Sequence, residues 1–248
     1  MILKEGKPVF LSVVIPAYNE EERISKTLEG ISDYLQKKEY TYEIIVVDDG
    51  SLDSTVDLVG GISRNNGNIR VLRNGVNRGK GYSVKRGVLA SSGEYVLFSD
   101  ADLPIPIEEV EKLFDWLRSG YEIAIGSKRL KESKSFIDQP LYRRLMGRIF
   151  NILLQLFIIR GINDTQCGFK CFKREAADRI FPKQLVEGFC FDVELLYLAK
   201  RWGIPVKEVP VRWTDRDAKT TVKIIPDSLQ MVLDLFKIRI NYWKGKYE

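Results

Sequence analysis

The sequence predicts an α/β protein with a mixed, mainly parallel sheet flanked by helices. Short apolar runs, most of them rich in β-branched residues, alternate with helical patterns through the first half of the chain. Acidic residues follow two of these runs, and sheets of this class bind ligands at the carboxyl ends of their strands. The second half changes to basic and amphipathic segments. We therefore expect a binding site at one edge of the sheet and a different role for the second half.

Five strands and four helices are predicted in alternation along the first half. The strands are the apolar runs at 11–16, 43–48, 69–72, 94–99 and 121–126. The helices are the segments between them, at 20–37, 54–65, 80–90 and 107–119. Pro104 and Pro106 precede the last of these and are typical of a helix entry.

A basic, polar stretch at 127–138 leads into a helical pattern at 139–161 that is dense in Leu, Ile and Phe. From 149 to 159 only Asn151 and Gln155 interrupt the apolar residues, a run well short of the roughly 20 residues that cross a bilayer. Two interpretations stay open, a buried core helix and a helix lying in a membrane surface. Hydrophobicity alone favours the first. The second is favoured by basic residues in and beside this segment: Arg143, Arg144, Arg148 and Arg160.

The C-terminal segment 226–243 is predicted as an amphipathic, basic helix. Its apolar residues recur at helical spacing, at Leu229, Val232, Leu233, Phe236, Ile240 and Trp243. Packing of this helix on the sheet is one interpretation. The other is a second membrane-surface contact, with Tyr242 and Trp243 at the depth of the lipid headgroups.

Composition limits the chemistry and the location. The 248 residues are 44% hydrophobic and contain no histidine, which excludes Ser/His/Asp hydrolysis and leaves carboxylates, basic residues or a hard cation. Three cysteines, Cys167, Cys171 and Cys190, are too few for a disulfide framework and lack a zinc-site pattern, so we expect reduced, packed thiols. The net charge of +5 favours anionic partners. Residues 1–8 do not resemble a secretory signal, which predicts a cytosolic protein.

Asp100-Ala101-Asp102 directly follows the fourth predicted strand. Two carboxylates this close together suit one Mg²⁺ or Mn²⁺, which takes oxygen ligands and bridges phosphate oxygens. An isolated pair of this kind is more often a turn or a helix cap. The pair Asp48-Asp49 ends the second predicted strand, so two strands deliver acidic residues toward one edge of the sheet.

Three further motifs favour the functional interpretation because of their order and spacing: 16–20 (Pro-Ala-Tyr-Asn-Glu), 48–51 (Asp-Asp-Gly-Ser) and 77–81 (Asn-Arg-Gly-Lys-Gly). With them, the first 130 residues resemble the inverting glycosyltransferases of family 2, whose nucleotide-binding half has the GT-A fold. The resemblance implies one domain, 1–248, with a nucleotide-sugar-binding half at 1–126 and an acceptor half at 127–248.

By this resemblance, the donor nucleotide sugar would be bound by residues from the ends of three strands. Pro16, Tyr18 and Glu20 would line the nucleoside pocket, and Asp48 would hydrogen-bond the base, with Val46 and Asp49 nearby. The diphosphate and its metal would be held by Asp100, Ala101 and Asp102, with Asp100 and Asp102 as the metal ligands. Lys80, near a helix start, would add an anion contact, whereas Gly79 and Gly81 also suit close backbone packing.

Beyond residue 126 the resemblance narrows to enzymes that transfer a sugar from a nucleotide to a polyprenyl phosphate, the dolichyl-phosphate glucosyl- and mannosyltransferases. The motifs are 126–129 (Gly-Ser-Lys-Arg), 164–170 (Asp-Thr-Gln-Cys-Gly-Phe-Lys) and 191–194 (Phe-Asp-Val-Glu), and the middle one resembles the glucosyl branch. The implied acceptor or phosphate contacts are Arg129, one of Arg143 and Arg144, Lys170, and the loop pair Arg216 and Lys219. Pro104 stands where related mannosyltransferases often have a glutamine metal ligand.

The predicted reaction is a metal-dependent, inverting transfer of a hexose, glucose before mannose, from a UDP- or GDP-sugar to a polyprenyl phosphate at the cytosolic face of a membrane. A phosphate acceptor is already ionised and needs no base, whereas a hydroxyl acceptor does. For a hydroxyl, Asp192 is the candidate base and Glu194 the reserve. The alternatives are a soluble family 2 enzyme acting on a saccharide or protein hydroxyl, and a non-catalytic carbohydrate- or lipid-binding relative. Nucleic acid is not an expected partner.

Overall fold

The computed structural model of the protein describes residues 8–135, 154–155, 158–214 and 224–248, with the backbone alone at 134–135 and 224–229. Most of the segment at 139–161 that was predicted to be helical lies outside the described residues. So do Arg143, Arg144, Arg216 and Lys219.

Within the described residues, seven strands form one sheet in the order β3-β2-β1-β4-β7-β5-β8. They are β1 (Leu11–Ala17), β2 (Tyr42–Asp48), β3 (Ile69–Arg73), β4 (Tyr95–Ser99), β5 (Ile123–Ser127), β7 (Phe169–Lys173) and β8 (Val206–Pro210). Two short strands, β6 (Lys134–Ser135) and β9 (Arg212–Trp213), pair in parallel beside it. The structure confirms all five predicted strands, with ends that differ by at most two residues.

The pairing is parallel except at β7. β1 pairs in parallel with β2 and β4, β2 with β3, and β5 with β8, whereas β7 is antiparallel to both β4 and β5. A strand from the second half therefore lies between two strands of the first half. The sequence did not predict β7, because its five residues include two lysines.

The helices flank the sheet. They are α1 (Ile24–Leu35), α2 (Thr55–Asn65), α3 (Lys80–Leu89), α4 (Val110–Arg118), α5 (Arg174–Ile180), α6 (Phe191–Arg201) and α7 (Ile224–Trp243). α1 begins at Ile24 and not at residue 20, because Asn19 takes a left-handed conformation and residues 21–23 form a turn. A 3₁₀ turn, Ile107–Glu109, precedes α4 and accounts for the first residues of the helix predicted at 107–119.

Successive strand residues point to opposite faces, so the sheet separates two apolar layers. Val14, Ile45 and Phe98 face the layer that includes α3, α5, α6 and α7. Val13, Ile44 and Leu97 face the layer that includes α1 and α4. With both faces covered, the central strands are buried throughout, as expected of a parallel sheet.

α7 is amphipathic, as predicted. Leu235 and Ile238 are buried against the core. Leu233, Phe236, Ile240 and Trp243 lie on its exposed surface. One face of α7 therefore packs on the core, and another face is exposed. No helix among the described residues is both long and apolar enough to span a membrane.

Candidate active site

Hydrogen bonds tie the loop after β1 to the loop after β2. The Asn19 N–H donates to Ser51 Oγ (3.0 Å), and Asn19 Oδ1 accepts from the Leu52 N–H (2.8 Å). The Glu20 N–H donates to Thr55 Oγ1 at 2.8 Å, which joins this edge to the start of α2. The φ of 54° at Asn19 lies in the left-handed region that asparagine tolerates. The paired ends of β1 and β2 and the loop after β1 carry four residues predicted for the nucleoside pocket: Pro16, Tyr18, Glu20 and Asp48.

Asp48 and Val46 are less accessible than predicted. The Asp48 carboxylate is 3% exposed and accepts hydrogen bonds from the backbone N–H groups of Gly50 (3.2 Å) and Ser51 (3.1 Å). Its first task is to shape the turn after β2. Val46 has no exposed surface and lies in the core, and its place close to the nucleotide stays a prediction.

Asp49 fixes the loop that leads to α3. Its Oδ1 accepts from Asn74 Nδ2 (2.7 Å) and the Arg78 N–H (2.9 Å), and its Oδ2 accepts from the Gly79 N–H (2.8 Å). Both oxygens are therefore engaged within the protein. The structure gives Asp49 a positioning role for the loop before Lys80, and its place near the nucleotide stays a prediction.

Gly79 and Gly81 allow close approach of this loop to residues 186–191. A Cβ at Gly79, where φ is +102°, would lie 2.6 Å from the Glu187 carbonyl oxygen. A Cβ at Gly81 would lie 2.6 Å from the Phe191 Cβ. Contacts this short do not occur, so both positions require glycine. The packing interpretation of these glycines is confirmed.

The turn formed by Asp100-Ala101-Asp102 is held from two sides. The Asp100 N–H donates to the Gly168 carbonyl (3.2 Å), and Thr27 Oγ1 on α1 donates to the Ala101 carbonyl (2.6 Å). Leu103, which ends the turn, has a φ of 44°, a costly conformation for a non-glycine residue. The backbone of this turn is thus fixed by the surrounding fold.

Gly168 lies directly against the Asp100 carboxylate. A Cβ at this position would lie 2.0 Å from Asp100 Oδ2. Any side chain there would displace the carboxylate. Sequence reasoning placed Gly168 only within a motif and missed this role, because the pairing of β4 with β7 that causes it is not visible in the sequence.

Lys80, the first residue of α3, forms an ion pair with Asp100. The Nζ to Oδ1 distance is 2.6 Å, and both side chains are largely shielded from solvent. Burial disfavours the ammonium, but the carboxylates of Asp100, Asp192 and Asp102 outweigh it and raise the pKa of Lys80 above its ordinary value. Lys80 therefore stays a cation beside the predicted diphosphate site.

Three carboxylates repel one another at this edge. Burial, with the charges of Asp102 and Asp100, raises the pKa of Glu20 to about 7 against the opposing effect of Arg23, 2.7 Å away. Burial and the charge of Asp100 likewise raise the pKa of Asp102. Among the described residues, no three metal-ligating side chains group closely enough to hold an ion by themselves. The oxygen donors of Asp100 and Asp102 suit a hard cation that shares its remaining positions with phosphate oxygens.

Lys170 and Asp192 form a buried ion pair behind this site. Lys170 Nζ donates to Asp192 Oδ1 (2.6 Å) and to the Cys167 carbonyl (2.6 Å), and it lies 5.2 Å from the centre of the Phe98 ring. Lys170 is 0% exposed and Asp192 is 2% exposed. Burial raises the pKa of Asp192, whereas Lys170 and Lys80 oppose that rise. Both side chains of this ion pair are therefore shielded from solvent.

Glu194, the predicted reserve base, has a structural role in the fold. It is 0% exposed. Its Oε2 accepts from the backbone N–H groups of Leu185 (3.0 Å) and Val186 (2.8 Å), and its Oε1 accepts from the Tyr247 hydroxyl (2.6 Å). This carboxylate ties the C-terminus to the loop that packs on Gly81. A role as general base is therefore corrected to a structural one.

The described part of the acceptor half places Arg129 on the surface just after β5. Pro104 has no side chain that could bind a metal, and its carbonyl oxygen accepts a hydrogen bond from the Thr214 N–H at 2.8 Å. Thr214 directly precedes the segment that contains Arg216 and Lys219. The turn that holds Asp100 and Asp102 is thus joined to the residue that directly precedes that segment.

All three cysteines are free and buried, as predicted. Burial raises the pKa of each thiol. Neutral thiols are poor nucleophiles and poor metal ligands. Packing is therefore their role.

Comparison with known proteins identifies the family. The model of glycosyl transferase family 2 matches residues 12–181. The dolichyl-phosphate beta-glucosyltransferase of Dictyostelium discoideum is 40% identical over 96% of this chain and 76% of its own length. The enzymes of the same name from Drosophila melanogaster (40% identical; 99% and 79%) and Homo sapiens (39% identical; 96% and 77%) match similarly.

Solved structures share the fold. Glucosyl-3-phosphoglycerate synthase of Mycobacterium tuberculosis, in complex with Mn²⁺, UDP-glucose and phosphoglyceric acid, superposes with a TM-score of 0.70 at 22% identity, covering 93% of this chain and 79% of that one. Its complex with Mn²⁺, UDP and glucosyl-3-phosphoglycerate gives 0.68 at 24% identity, covering 93% and 80%. The predicted GT-A fold is thereby confirmed. The chain is a glycosyltransferase that belongs to glycosyl transferase family 2, within the group of the dolichyl-phosphate beta-glucosyltransferases.

Proposed function

We propose that the protein transfers glucose, with inversion, from a nucleoside diphosphate donor to a polyprenyl phosphate of the dolichyl type at the cytosolic face of a membrane. The names of the relatives support glucose and dolichyl phosphate. UDP-glucose is the first donor to test, because an enzyme of the same fold binds it.

The observation that carries the choice of acceptor is that both candidate bases are already engaged. Asp192 is paired with the buried Lys170, and both oxygens of Glu194 accept hydrogen bonds from the fold. A hydroxyl acceptor needs a base that removes its proton. A phosphate monoester carries its negative charge already, so cations suffice to bring it to the donor.

In this proposal the course of the reaction follows from the positions of the charged groups around the donor and the acceptor. An oxygen of the acceptor phosphate attacks the anomeric carbon, and the bond from this carbon to the diphosphate breaks, with its electron pair leaving on the nucleoside diphosphate. A divalent cation, Mg²⁺ or Mn²⁺, held by Asp100 and Asp102 would neutralise charge on that leaving group. Lys80 stays charged and holds Asp100 in place. In the proposal Arg129, one of Arg143 and Arg144, and the pair Arg216 and Lys219 meet the acceptor phosphate.

The test is a transfer assay with polyprenyl phosphate, Mn²⁺ or Mg²⁺, and a panel of UDP- and GDP-linked sugars. We expect a lipid-linked glucose from UDP-glucose, with the β configuration by NMR. Absence of a lipid-linked product with every donor would overturn the proposal. Transfer to a free saccharide or to a protein hydroxyl in place of the lipid would support the soluble alternative.

A further inference from the structure

A basic cleft lies at the carboxyl-terminal ends of α6 and α7, with a volume of about 440 Å³. Its lining includes two aromatic residues, Tyr197 and Trp243, and four cations: Arg160, Lys200, Arg201 and Arg239. Among the described residues no carboxylate lines it. A concave surface that carries four positively charged side chains suits an anion.

The cleft is separate from the active site. α6 begins beside Asp192 and ends at Lys200 and Arg201, about 12 Å further along the helix. α7 runs beside it in the same direction, because Cys190 Sγ contacts the Met231 carbonyl (3.5 Å) at one end and the rings of Tyr197 and Tyr242 meet at 5.5 Å at the other.

The fold orients the cations of the cleft. The Arg201 guanidinium lies 4.3 Å from the centre of the Tyr242 ring, and that of Arg239 lies 5.2 Å from the Trp243 ring. Lys200 Nζ donates to the Arg160 carbonyl. Lys200 and Arg201 also neutralise the negative end of the α6 dipole. The dipole does not explain the presence of Arg160 and Arg239 in the cleft, because these two residues belong to other elements.

An exposed apolar stripe on α7 meets the cleft. Leu233 is 54% exposed, Phe236 60%, Ile240 43% and Trp243 71%, at intervals of three, four and three residues that share one helix face. Trp243 belongs to both features. An apolar helix face edged by cations and an aromatic ring matches the chemistry of a bilayer surface that carries anionic lipids.

We propose that α7 lies on the bilayer with this stripe in the interface and that the cleft binds the phosphate headgroup of an anionic phospholipid. The inference rests on the proposed function only in that a polyprenyl phosphate acceptor is presented by a bilayer. It gives the protein a lipid contact that is independent of the acceptor.

The test measures binding of the full chain to vesicles of phosphatidylcholine with and without phosphatidylserine, in the absence of acceptor. Wild-type protein should bind the anionic vesicles and lose binding as salt rises. Arg160→Glu/Arg201→Glu should reduce binding on the order of a hundredfold. The matched control, Lys37→Glu/Arg64→Glu, makes the same charge change at exposed positions on α2 and just beyond α1, and should keep most of the binding.

A second pair of variants, one test and one control, examines the apolar stripe on α7. Leu233→Ser should lower vesicle binding about tenfold, because it removes one inserted side chain. Leu89→Ser, at a leucine that is 50% exposed on α3, should have little effect. The tryptophan fluorescence should shift to the blue on anionic vesicles, and Trp243→Phe should remove most of this shift.

Three results would overturn the proposal. The first is equal binding to neutral and anionic vesicles, and the second is full binding by the Arg160/Arg201 variant. The third is loss of vesicle binding in millimolar inorganic phosphate at constant ionic strength, which would indicate a site for soluble phosphate.

Transfer in detergent with a short-chain polyprenyl phosphate separates the two proposals. The cleft variant should keep this activity, whereas failure of the proposed function would abolish it in wild type as well.

Discussion

At the scale of single residues, the position of one carboxylate depends on a glycine 68 residues away in the chain. Asp100 lies against Gly168, where a methyl group would meet the carboxylate at 2.0 Å. The β4 and β7 backbones are hydrogen-bonded here, so the carboxylate must be the part that moves.

Gly168→Ala should therefore lower kcat at least 100-fold while changing the melting temperature by only a few degrees, since it displaces a catalytic group by more than an ångström. The measurement is a steady-state transfer assay with a melting curve. Gly67→Ala is the matched control, because a Cβ at Gly67 has no neighbour within 4 Å. Full activity in Gly168→Ala would show that the position of Asp100 is not critical.

Asp102→Ala should abolish transfer and leave the fold intact, because Asp102 is a proposed ligand of the metal and the diphosphate. Relief of its repulsion with Asp100 should keep the variant at least as stable as wild type without metal. Asp115→Ala, at a side chain that is 77% exposed, is the control. Measurable turnover in the Asp102 variant would remove this residue from the mechanism.

Glu43 shows how a carboxylate far from the site contributes to stability. It is buried and accepts from Ser12 Oγ (2.7 Å), the Ser92 N–H (2.7 Å) and Ser92 Oγ (2.9 Å), with Arg70 at 3.2 Å. Burial acts to raise its pKa, but these donors outweigh burial and lower the pKa below its ordinary value. Its contribution to stability is therefore complete above the unfolded-state pKa and is lost as the pH falls through the lower, folded-state pKa.

Glu43→Gln should reduce the free energy of unfolding by about 1–3 kcal/mol at pH 7. The difference from wild type should shrink once the pH falls below about 4.3, the ordinary pKa of glutamate. Urea unfolding across this pH range is the measurement. A difference that stays constant or grows toward low pH would contradict the assignment.

At the scale of elements, the strands that are apolar in sequence were predictable and the polar-containing ones were not. β1, β2, β4 and β5 are buried, largely apolar runs, and β3 is a short run that contains Ile69, Val71 and Leu72. β7 carries Lys170, whose burial depends on Asp192 from α6, and no local pattern reveals such a pair. The motifs predicted for the donor site could likewise be recognised in the sequence. Only the structure shows that Asp48 shapes its own turn, whereas Asp49 holds another loop.

The loop before α3 offers an element-scale prediction. Asp49→Asn should weaken the three hydrogen bonds that hold residues 74–79 and so loosen the position of Lys80. We expect kcat/KM to fall about 10- to 100-fold, with a loss of about 1–3 kcal/mol in stability. Asp53→Asn, at another loop carboxylate that accepts backbone N–H groups near α2, is the control. Unchanged kinetics in the Asp49 variant would contradict the positioning role.

At the scale of the whole molecule, the C-terminus is tied to the centre of the fold. Tyr247 is 3% exposed and donates to Glu194, which in turn holds the loop at Leu185 and Val186. The last two residues of the chain therefore connect α7 to the loop that packs against α3.

Tyr247→Phe should lower the melting temperature by about 2–8 °C, because it leaves the buried Glu194 carboxylate with one donor fewer. The kcat at temperatures well below the transition should stay within about twofold, since Tyr247 does not touch the donor site. Tyr121→Phe, at a half-buried tyrosine on the face that carries α4, is the control. A large loss of kcat without a loss of stability would assign Tyr247 a different role.

The antiparallel strand β7 also constrains how the chain is made. β4 and β5 are neighbours of β7 and not of each other, so the sheet stays split until residues 169–173 have left the ribosome and been inserted between them. A fragment that ends near residue 126 would lack both β7 and β8, so it would present Phe98 and the unpaired edges of β4 and β5 to water, which favours aggregation. Residues 1–126 therefore become a stable body only when most of residues 127–248 have been synthesised.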